Sequence, residues 1–206
     1  DSGPGFGGSC FKKDILNLVY LCQYFGLPEV ANFWEVVVKL NEWHQHRISK
    51  LIVKKLFGTI SSKKIAILGF AFKANTNDTR ESAAITICKD LIDEGAILSI
   101  HDPKVDPTQI AKDLGIDDKN KNDSEKKTDL YSAEGEWFFS DSIDFALNGA
   151  DAVIVLTEWE EYGKLDWCKI SKIMRSPAWV FDARSTLLPE QVKEAGLNYW
   201  RIGDGS

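Results

Sequence analysis

The first quarter of the chain has the hydrophobic spacing of helices. Apolar residues recur every three or four positions from residue 12 to residue 57, and Gly26-Leu27-Pro28 interrupts them once. The pattern therefore predicts one helix before Gly26 and a second from about Glu29 to Phe57. The second helix would span about 42 Å at 1.5 Å per residue. Its apolar residues occur on more than one side, which is typical of a helix that joins domains or packs against another subunit.

After Gly58 the spacing becomes that of short buried strands separated by helices. The predicted strands are Lys64–Phe70, Ile97–His101, Trp137–Phe139, Ala152–Leu156, Trp179–Asp182 and Asn198–Ile202. The predicted helices between them are Ser82–Asp93, Asp141–Ala146, Trp167–Met174 and Pro189–Glu194. Strands that alternate with helices indicate βαβ units. We therefore expect an α/β protein, with a long central helix followed by a doubly wound, mostly parallel, Rossmann-like sheet.

The change of pattern at Gly58 also suggests two parts. We expect residues 1–58 to form a segment that carries a candidate catalytic cysteine and the central helix, and residues 59–206 to form a Rossmann-like domain. Residues 115–136 are rich in Asp, Lys, Asn and Ser and have the composition of an exposed insertion. The chain opens within a glycine motif and without a start methionine, so we expect it to be the C-terminal piece of a longer protein.

Composition narrows the classes of function. The formal net charge is −6 over 206 residues, which argues against a nucleic-acid-binding protein, because phosphate recognition depends on basic surface. A small anionic ligand needs only a few well-placed lysines and arginines. We find no secretory signal and no apolar run that could span a bilayer, so we expect a cytoplasmic protein with no membrane partner.

The four cysteines are Cys10, Cys22, Cys88 and Cys168, and none forms a CxxC pair. The last three lie in apolar, periodic segments, which predicts buried free thiols. Metal ligation is not indicated, because His44 and His46 stand two residues apart on a helix and point in different directions.

Cys10 lies in a different setting from the other cysteines. Residues 5–14 read GFGGSCFKKD, so the thiol follows a run of glycines at the predicted start of a helix. Glycines let a ligand approach the backbone, and the N–H groups of a helix start, with Lys12 and Lys13, favour the nucleophilic thiolate. Asp14 is one helical turn beyond Cys10 and shares its face. The alternative is an ordinary glycine loop that leads into a helix with a buried cysteine.

The loop after the first predicted strand lacks the usual dinucleotide motif. Residues 69–80 read GFAFKANTNDTR, with one glycine, no GxGxxG and no Walker A pattern. We therefore expect no NAD site of the usual kind here. Lys73 and Arg80 are instead candidate phosphate contacts; the alternative is a solvated loop with an Arg80–Glu81 surface pair. Arg184 follows another predicted strand, where ligand contact and structural pairing weigh equally.

Five segments together resemble the UDP-glucose/GDP-mannose dehydrogenase family, and in particular the C-terminal half of the UDP-glucose 6-dehydrogenases. The likeness covers essentially the whole chain in order and spacing. The segments are residues 5–14, residues 69–82, His101-Asp102-Pro103, Thr157-Glu158-Trp159 and Phe181-Asp182-Ala183-Arg184.

The resemblance implies oxidation of UDP-glucose to UDP-glucuronate with two NAD, through a thiohemiacetal and a thioester on Cys10. It implies that Asp14 is the acid–base or water-orienting carboxylate and that Arg80 reaches the bound NAD. It further implies a homodimer or higher oligomer built on the 29–57 helix. The residues that it assigns to binding of the nucleotide sugar are Phe6, Gly7, Phe11, Phe72, Lys73 and Arg184.

The same resemblance implies that NAD is bound mainly by an N-terminal domain whose fingerprint is not in these residues. We therefore expect this chain alone to be inactive. Two alternatives remain open: half of a dehydrogenase for GDP-mannose or another nucleotide sugar, and a non-catalytic nucleotide-sugar-binding or dimerisation module. The residue types at positions 76–82 and the 115–136 insertion favour a UDP-glucose dehydrogenase over a GDP-mannose dehydrogenase. The Cys10–Asp14 pair argues against a non-catalytic module.

Overall fold

The computed structural model describes residues 3–119 and 135–204. It begins with a glycine loop and two helices, α1 (Phe11–Tyr24) and α2 (Pro28–Lys55). Between them Gly26 adopts a left-handed φ of +72°, which ends α1, and Pro28 starts α2. The long central helix is therefore confirmed, and its 28 residues end shortly before Gly58.

All six strands are parallel and lie in the order β3-β2-β1-β4-β5-β6. The connection reverses direction between β1 and β4, so the topological switch point lies at their carboxyl ends. The predicted doubly wound sheet is confirmed, and every predicted strand is present. The strands are β1 (Lys64–Leu68), β2 (Ile97–His101), β3 (Glu136–Phe139), β4 (Ala152–Val155), β5 (Trp179–Asp182) and β6 (Asn198–Arg201).

In the residues that the structure describes, five helices connect the strands: α3 (Ala83–Asp93), α4 (Pro107–Leu114), α5 (Ile143–Leu147), α6 (Trp167–Ile173) and α7 (Pro189–Glu194), with a 3-10 turn at Tyr162–Lys164. The sequence pattern missed α4, although its signals are present. Asp106 caps it by accepting from the N–H groups of Thr108 and Gln109, and Gly115 ends it at a φ of +74°. Most of the 115–136 insertion lies outside the described residues.

Two apolar clusters form the interior. The larger one fills both faces of the sheet and includes Ile48, Ile52 and Leu56 from the last turns of α2. The smaller one joins α1 to the first half of α2 through Ile15, Val19, Cys22, Ala31 and Val38. Because α2 contributes to both clusters, the division after residue 58 stays a prediction.

The predicted burial of the cysteines is confirmed for two of three residues. Cys22 and Cys88 are buried free thiols, as expected, and burial raises the pKa of Cys88. The prediction for Cys168 is wrong, because this residue is exposed. The helix α6 covers the sheet with Trp167 and Ile170, which leaves the intervening side chains toward solvent. No helix within residues 3–119 and 135–204 is long and apolar enough to cross a membrane.

Candidate active site

The loop after β1 and the loop after β4 touch at the switch point. A Cβ on Gly69 would lie 2.3 Å from Thr157 Cβ, and Gly69 has a left-handed φ of +94°. Only glycine meets both conditions. The Thr157 hydroxyl then donates to the carbonyl of Ala71 at 2.6 Å, which fixes the first residues of the β1 loop.

Asp102, directly after β2, holds the same loop from its other side. Its Oδ2 accepts from the N–H groups of Phe70 at 2.7 Å and Ala71 at 3.0 Å, and from the indole of Trp159 at 3.3 Å. Its Oδ1 accepts from two further backbone N–H groups at 2.9 and 3.0 Å. This buried carboxylate therefore determines the shape of the switch-point loop, a role that the sequence analysis did not assign to it.

Arg184, after β5, joins three loops at the sheet edge. Its Nε donates to Leu156 O at 2.9 Å and its Nη2 donates to Phe72 O at 2.7 Å, while Glu158 lies 3.3 Å from Nε. Burial lowers the pKa of Arg184, and the charge of Glu158 partly offsets that change. The structural pairing weighed for Arg184 is thus present, at the rim of the site.

The glycine loop packs against the β1–α3 loop. A Cβ on Gly7 would lie 2.3 Å from the carbonyl oxygen of Glu81, and one on Gly8 would lie 3.0 Å from the Phe72 ring. Gly8 also donates its N–H to Arg80 O at 2.8 Å. These glycines therefore allow one protein loop to approach another, whereas the sequence analysis expected them to admit a ligand.

Cys10 is exposed and occupies the residue immediately before the first turn of α1. The Ser9 hydroxyl lies 3.5 Å from its Sγ, and Asp14 donates its backbone N–H to Cys10 O at 2.8 Å. Asp14 is exposed in the first turn of the helix, one turn from the thiol. The predicted arrangement of thiol, helix start and carboxylate is therefore present in the structure.

The charges around Cys10 differ from those expected. Lys12 forms ion pairs with Glu81 at 2.9 Å and Glu42 at 3.3 Å, which raise its pKa. Its charge is therefore compensated, and so is the charge of Arg80, the other cation whose loop contacts the Cys10 segment. Cys10 contributes electrostatically to the raised pKa of this guanidinium, after the larger effect of Asp78.

Arg80 does not form the surface pair with Glu81 that we considered from the sequence. Its Nε and Nη2 donate to the two oxygens of Asp78 at 2.9 and 2.7 Å, a bidentate pair, while Glu81 pairs with Lys12. Asp78, whose pKa is lowered mainly by this guanidinium, thus holds Arg80 at the surface near the thiol.

The aromatic candidates and Lys73 border the same region. Phe6 and Phe11 meet edge to face with ring centroids 4.7 Å apart, on either side of Cys10 in sequence. Lys73 is exposed, with its Nζ 5.3 Å from the centroid of the Phe72 ring. Asn41, which no sequence signal marked, bonds to the Phe6 backbone. Within the described ranges, no group of three or more His, Cys, Asp or Glu side chains could hold a metal ion.

The switch-point loop does not offer a dinucleotide cradle. A Rossmann cradle needs several glycines and free backbone N–H groups that face the pyrophosphate. Here Asp102 occupies the N–H groups of Phe70 and Ala71, and Gly69 is packed against Thr157. The described residues after β1 therefore do not fit NAD bound in the usual way.

Comparison with known proteins gives two family matches. Residues 66–189 match the UDP-binding domain of the UDP-glucose/GDP-mannose dehydrogenase family, and residues 1–43 match the central domain of the same family. The first match begins within β1 and includes the loops that carry Phe72, Leu156 and Arg184. The second includes the glycine loop, Cys10 and most of α2.

Individual relatives agree with these matches. The chain is 45% identical over 205 residues to UDP-glucose 6-dehydrogenase of Drosophila melanogaster, covering 97% of this chain and 40% of the relative. It is 43% identical over 204 residues to UDP-glucose 6-dehydrogenase 2 of Oryza sativa subsp. japonica, covering 97% of this chain and 42% of the relative. Among solved structures, a UDP-glucose dehydrogenase of Pyrobaculum islandicum superposes with a TM-score of 0.66 at 25% identity, covering 96% of this chain and 38% of that one. The chain thus spans about two-fifths of the length of these relatives.

Proposed function

This chain belongs to the UDP-glucose/GDP-mannose dehydrogenase family, and we propose that it supplies the catalytic thiol and the UDP-sugar-binding part of a UDP-glucose 6-dehydrogenase. The reaction is the oxidation of UDP-glucose to UDP-glucuronate with two NAD. The observation that carries this proposal is the meeting of the Cys10 loop with the β1–α3 loop at Gly8 N–H and Arg80 O. It brings an exposed thiol beside the carboxyl edge of a UDP-binding-domain sheet.

The proposed covalent chemistry belongs to Cys10 and Asp14. The first oxidation removes a hydride from C6 of the sugar and the proton of its hydroxyl, which gives an aldehyde. The Cys10 thiolate attacks that aldehyde, a C–S bond forms, and the carbonyl oxygen takes a proton to give a thiohemiacetal. Loss of a second hydride from that carbon, together with the hydroxyl proton, gives a thioester. Water then attacks the thioester, the C–S bond breaks, and the carboxylate leaves with the thiol restored. Asp14, one turn from Cys10, orients that water and receives its proton.

NAD, when bound, supplies the acceptor for the two hydrides. Since the switch-point loop does not fit NAD, we propose that the cofactor is bound mainly by residues beyond this chain and that Arg80 approaches it from this side. We therefore expect the 206 residues alone to produce no NADH from UDP-glucose and NAD. Growth of absorbance at 340 nm with this chain as the only protein would refute that expectation.

Binding of the nucleotide sugar falls to residues around the thiol. We propose that Phe6, Gly7, Phe11 and Phe72 line its pocket. Lys73 is exposed and forms no ion pair within 4 Å among the described residues, although its charge interacts with that of Asp78, so its ammonium group can contact an anionic ligand. Arg184 provides a second positive charge at the rim, although Glu158 already pairs with it.

Association with a second copy is the other part of the proposal. The side of α1 and α2 away from the smaller cluster exposes Tyr24, Phe33, Leu40 and Trp43, each more than half exposed. Contiguous apolar surface of this kind marks interaction sites. We propose that the 29–57 helix is the core of a homodimer or a higher oligomer.

The test of the substrate class is a calorimetric titration of this chain with UDP, UDP-glucose, GDP and GDP-mannose. We expect selective binding of the uridine ligands, weakened by Lys73→Ala and unchanged by Lys172→Ala, which alters an exposed lysine on α6. Selective binding of the guanosine ligands would move the assignment to the GDP-mannose branch. Absence of binding would show that this chain does not form the sugar-nucleotide site by itself.

The test of the thiol chemistry separates an enzyme from a binding module. Iodoacetamide at neutral pH should modify Cys10 faster than Cys168, although both are exposed. Equal and slow modification of the two would favour the non-catalytic nucleotide-sugar-binding or dimerisation module.

A further inference from the structure

Asn41, in the middle of α2, is bonded twice to the backbone of one residue in the glycine loop. Its Oδ1 accepts from Phe6 N–H at 2.8 Å, and its Nδ2 donates to Phe6 O at 3.1 Å. A primary amide can accept and donate at once, as a neighbouring strand would. We propose that Asn41 is a positioning residue that holds the loop so that Cys10 stays at the start of α1, beside Arg80. This inference rests on the proposed role of Cys10 as the nucleophile.

A short series of contacts joins Asn41 to the thiol. The backbone of Phe6 is fixed by the amide, and its ring packs edge to face on Phe11, with the planes 89° apart. Phe11 is the first residue of α1 and directly follows Cys10. A movement of Phe6 is therefore transmitted to the peptide that carries the thiol.

The close approach of α2 also explains the glycine before Phe6. A Cβ on Gly5 would lie 2.6 Å from Asn41 Oδ1, and Gly5 has a φ of +123°. A larger residue there would push against the amide oxygen that receives the Phe6 N–H. Gly5 and Asn41 therefore act together.

Other contacts hold the thiol segment after Phe6. Gly8 N–H bonds to Arg80 O, and Lys12 pairs with Glu81 and with Glu42 of α2. Before Phe6, the carbonyl of Gly3 lies 3.2 Å from His44 Nε2 on α2. Among the contacts to α2 that precede Cys10, the two bonds of Asn41 are the nearest to the thiol, so their loss frees the loop between Gly3 and Gly8.

The experiment uses this chain with Cys168→Ser, and follows Cys10 by peptide mass spectrometry during iodoacetamide treatment at pH 7. Asn41→Ala should slow the reaction about tenfold, since two hydrogen bonds are lost and the thiol leaves its place at the start of α1, where the helix N–H groups favour a thiolate. Asn41→Asp keeps the acceptor for Phe6 N–H and should restore part of the rate. Asn32→Ala, at an exposed position of the same helix, should leave the rate unchanged.

Hydrogen exchange at the Phe6 amide, compared with exchange in β1 and β4, distinguishes a local release of the loop from a general loss of stability. Its amide should lose protection in Asn41→Ala and keep it in Asn41→Asp, while the amides of β1 and β4 exchange as before. Fast labelling of Cys10 with a still-protected Phe6 amide in Asn41→Ala would overturn the positioning role. If the parent chain already labels Cys10 as slowly as the urea-unfolded chain does, the result would instead contradict the proposed role of Cys10 as the nucleophile.

A glycine pair keeps the inference testable if Asn41→Ala fails to fold. Gly5→Ala should slow Cys10 labelling as Asn41→Ala does. Gly26→Ala also places a side chain at a positive φ, +72° against +123° at Gly5, but meets no atom within 4 Å, so it reports the effect of backbone strain without a contact. Equal Cys10 labelling rates in the two glycine variants would contradict the contact with Asn41.

Discussion

The apolar side chains of the two helices at the start of the chain are less buried than those around the sheet that follows. Around the sheet, the large residues are enclosed on all sides, and Trp137, Phe70 and Phe181 have no exposed surface. On α1 and the first half of α2, five residues make up the buried cluster. Most of the exposed large apolar side chains that the structure describes lie between residues 11 and 43.

This difference indicates how each region becomes stable. The sheet forms a complete interior from its own strands and helices, so its loops can be held rigidly. The helical pair covers one side only, and its other side has the character of an interface. The loop that leads to the proposed thiol lies between them, bonded to the sheet region through Gly8 and Arg80 and to α2 through Phe6 and Asn41.

The largest effect is expected from replacing Asp102, which tests whether the loops of the sheet are held rigidly. In Asp102→Ala, five N–H donors around the switch-point loop lose their acceptor in a buried place, so the free energy of unfolding should fall by about 3–5 kcal/mol. Urea unfolding measures it. Asp117→Ala removes an exposed carboxylate and should change stability by less than about 0.5 kcal/mol. A loss below about 1 kcal/mol in Asp102→Ala would show that the loop does not depend on this carboxylate.

A matched series of valines would sharpen the comparison. Val153 is fully buried in β4, Val38 is 6% exposed in α2, and Val36 is 57% exposed on the same helix. Truncation to alanine should cost about 2–3 kcal/mol at Val153, about 1 kcal/mol at Val38 and almost nothing at Val36. Urea unfolding of the three variants gives the order. Equal losses at Val153 and Val38 would mean that the helical pair is as well enclosed as the sheet.

The exposed side of the helices predicts self-association. Sedimentation equilibrium of the chain should show a dimer or higher oligomer, and Phe33→Asp should weaken the association at least about tenfold, because it places a charge in the apolar surface. Leu188→Asp provides the control, since Leu188 is 55% exposed but belongs to the sheet region. A parent chain that stays monomeric at every concentration would show that a second copy does not cover this side.

The smallest effect concerns pH and belongs to the sheet. Burial lowers the pKa of His101, whose Nδ1 lies 3.0 Å from the Tyr162 hydroxyl. Below the ordinary histidine value of about 6.5 the unfolded chain then binds more protons than the folded one, so stability falls as pH decreases. His101→Gln should flatten the change in unfolding free energy between about pH 7.5 and 5.5.

Part of the site was predictable because it lies close together in sequence. Glycines, Cys10 and Asp14 stand within residues 5–14, and one helical turn sets the spacing between the thiol and the carboxylate. The position of Arg184 followed from its strand, because the carboxyl ends of parallel strands meet at one edge. The resemblance to the dehydrogenase family, now supported by matches to two of its domains, rested on these same motifs.

Other parts were not predictable from local pattern. Lys12 was expected to add positive charge near the thiol, but Glu42 and Glu81 reach it from two other elements. The glycines were expected to let a ligand approach, and at Gly7 the space of a Cβ is taken by the Glu81 carbonyl, so this glycine also allows the approach of a protein loop. Cys168 was expected to be buried, and its place on a two-turn surface helix exposes it.

The sequence by itself determined the long helix, the six strands, their parallel arrangement and the family. Hydrophobic period and turn residues act over a few neighbours, so a linear pattern can encode them. Only the tertiary structure decided which polar groups meet. Asn41 bonds to Phe6 across 35 residues, and Arg184 bonds to Phe72 across 112. Such pairs exist only after the sheet and α2 have brought distant loops together, because side-chain bonds of about 3 Å depend on the whole fold.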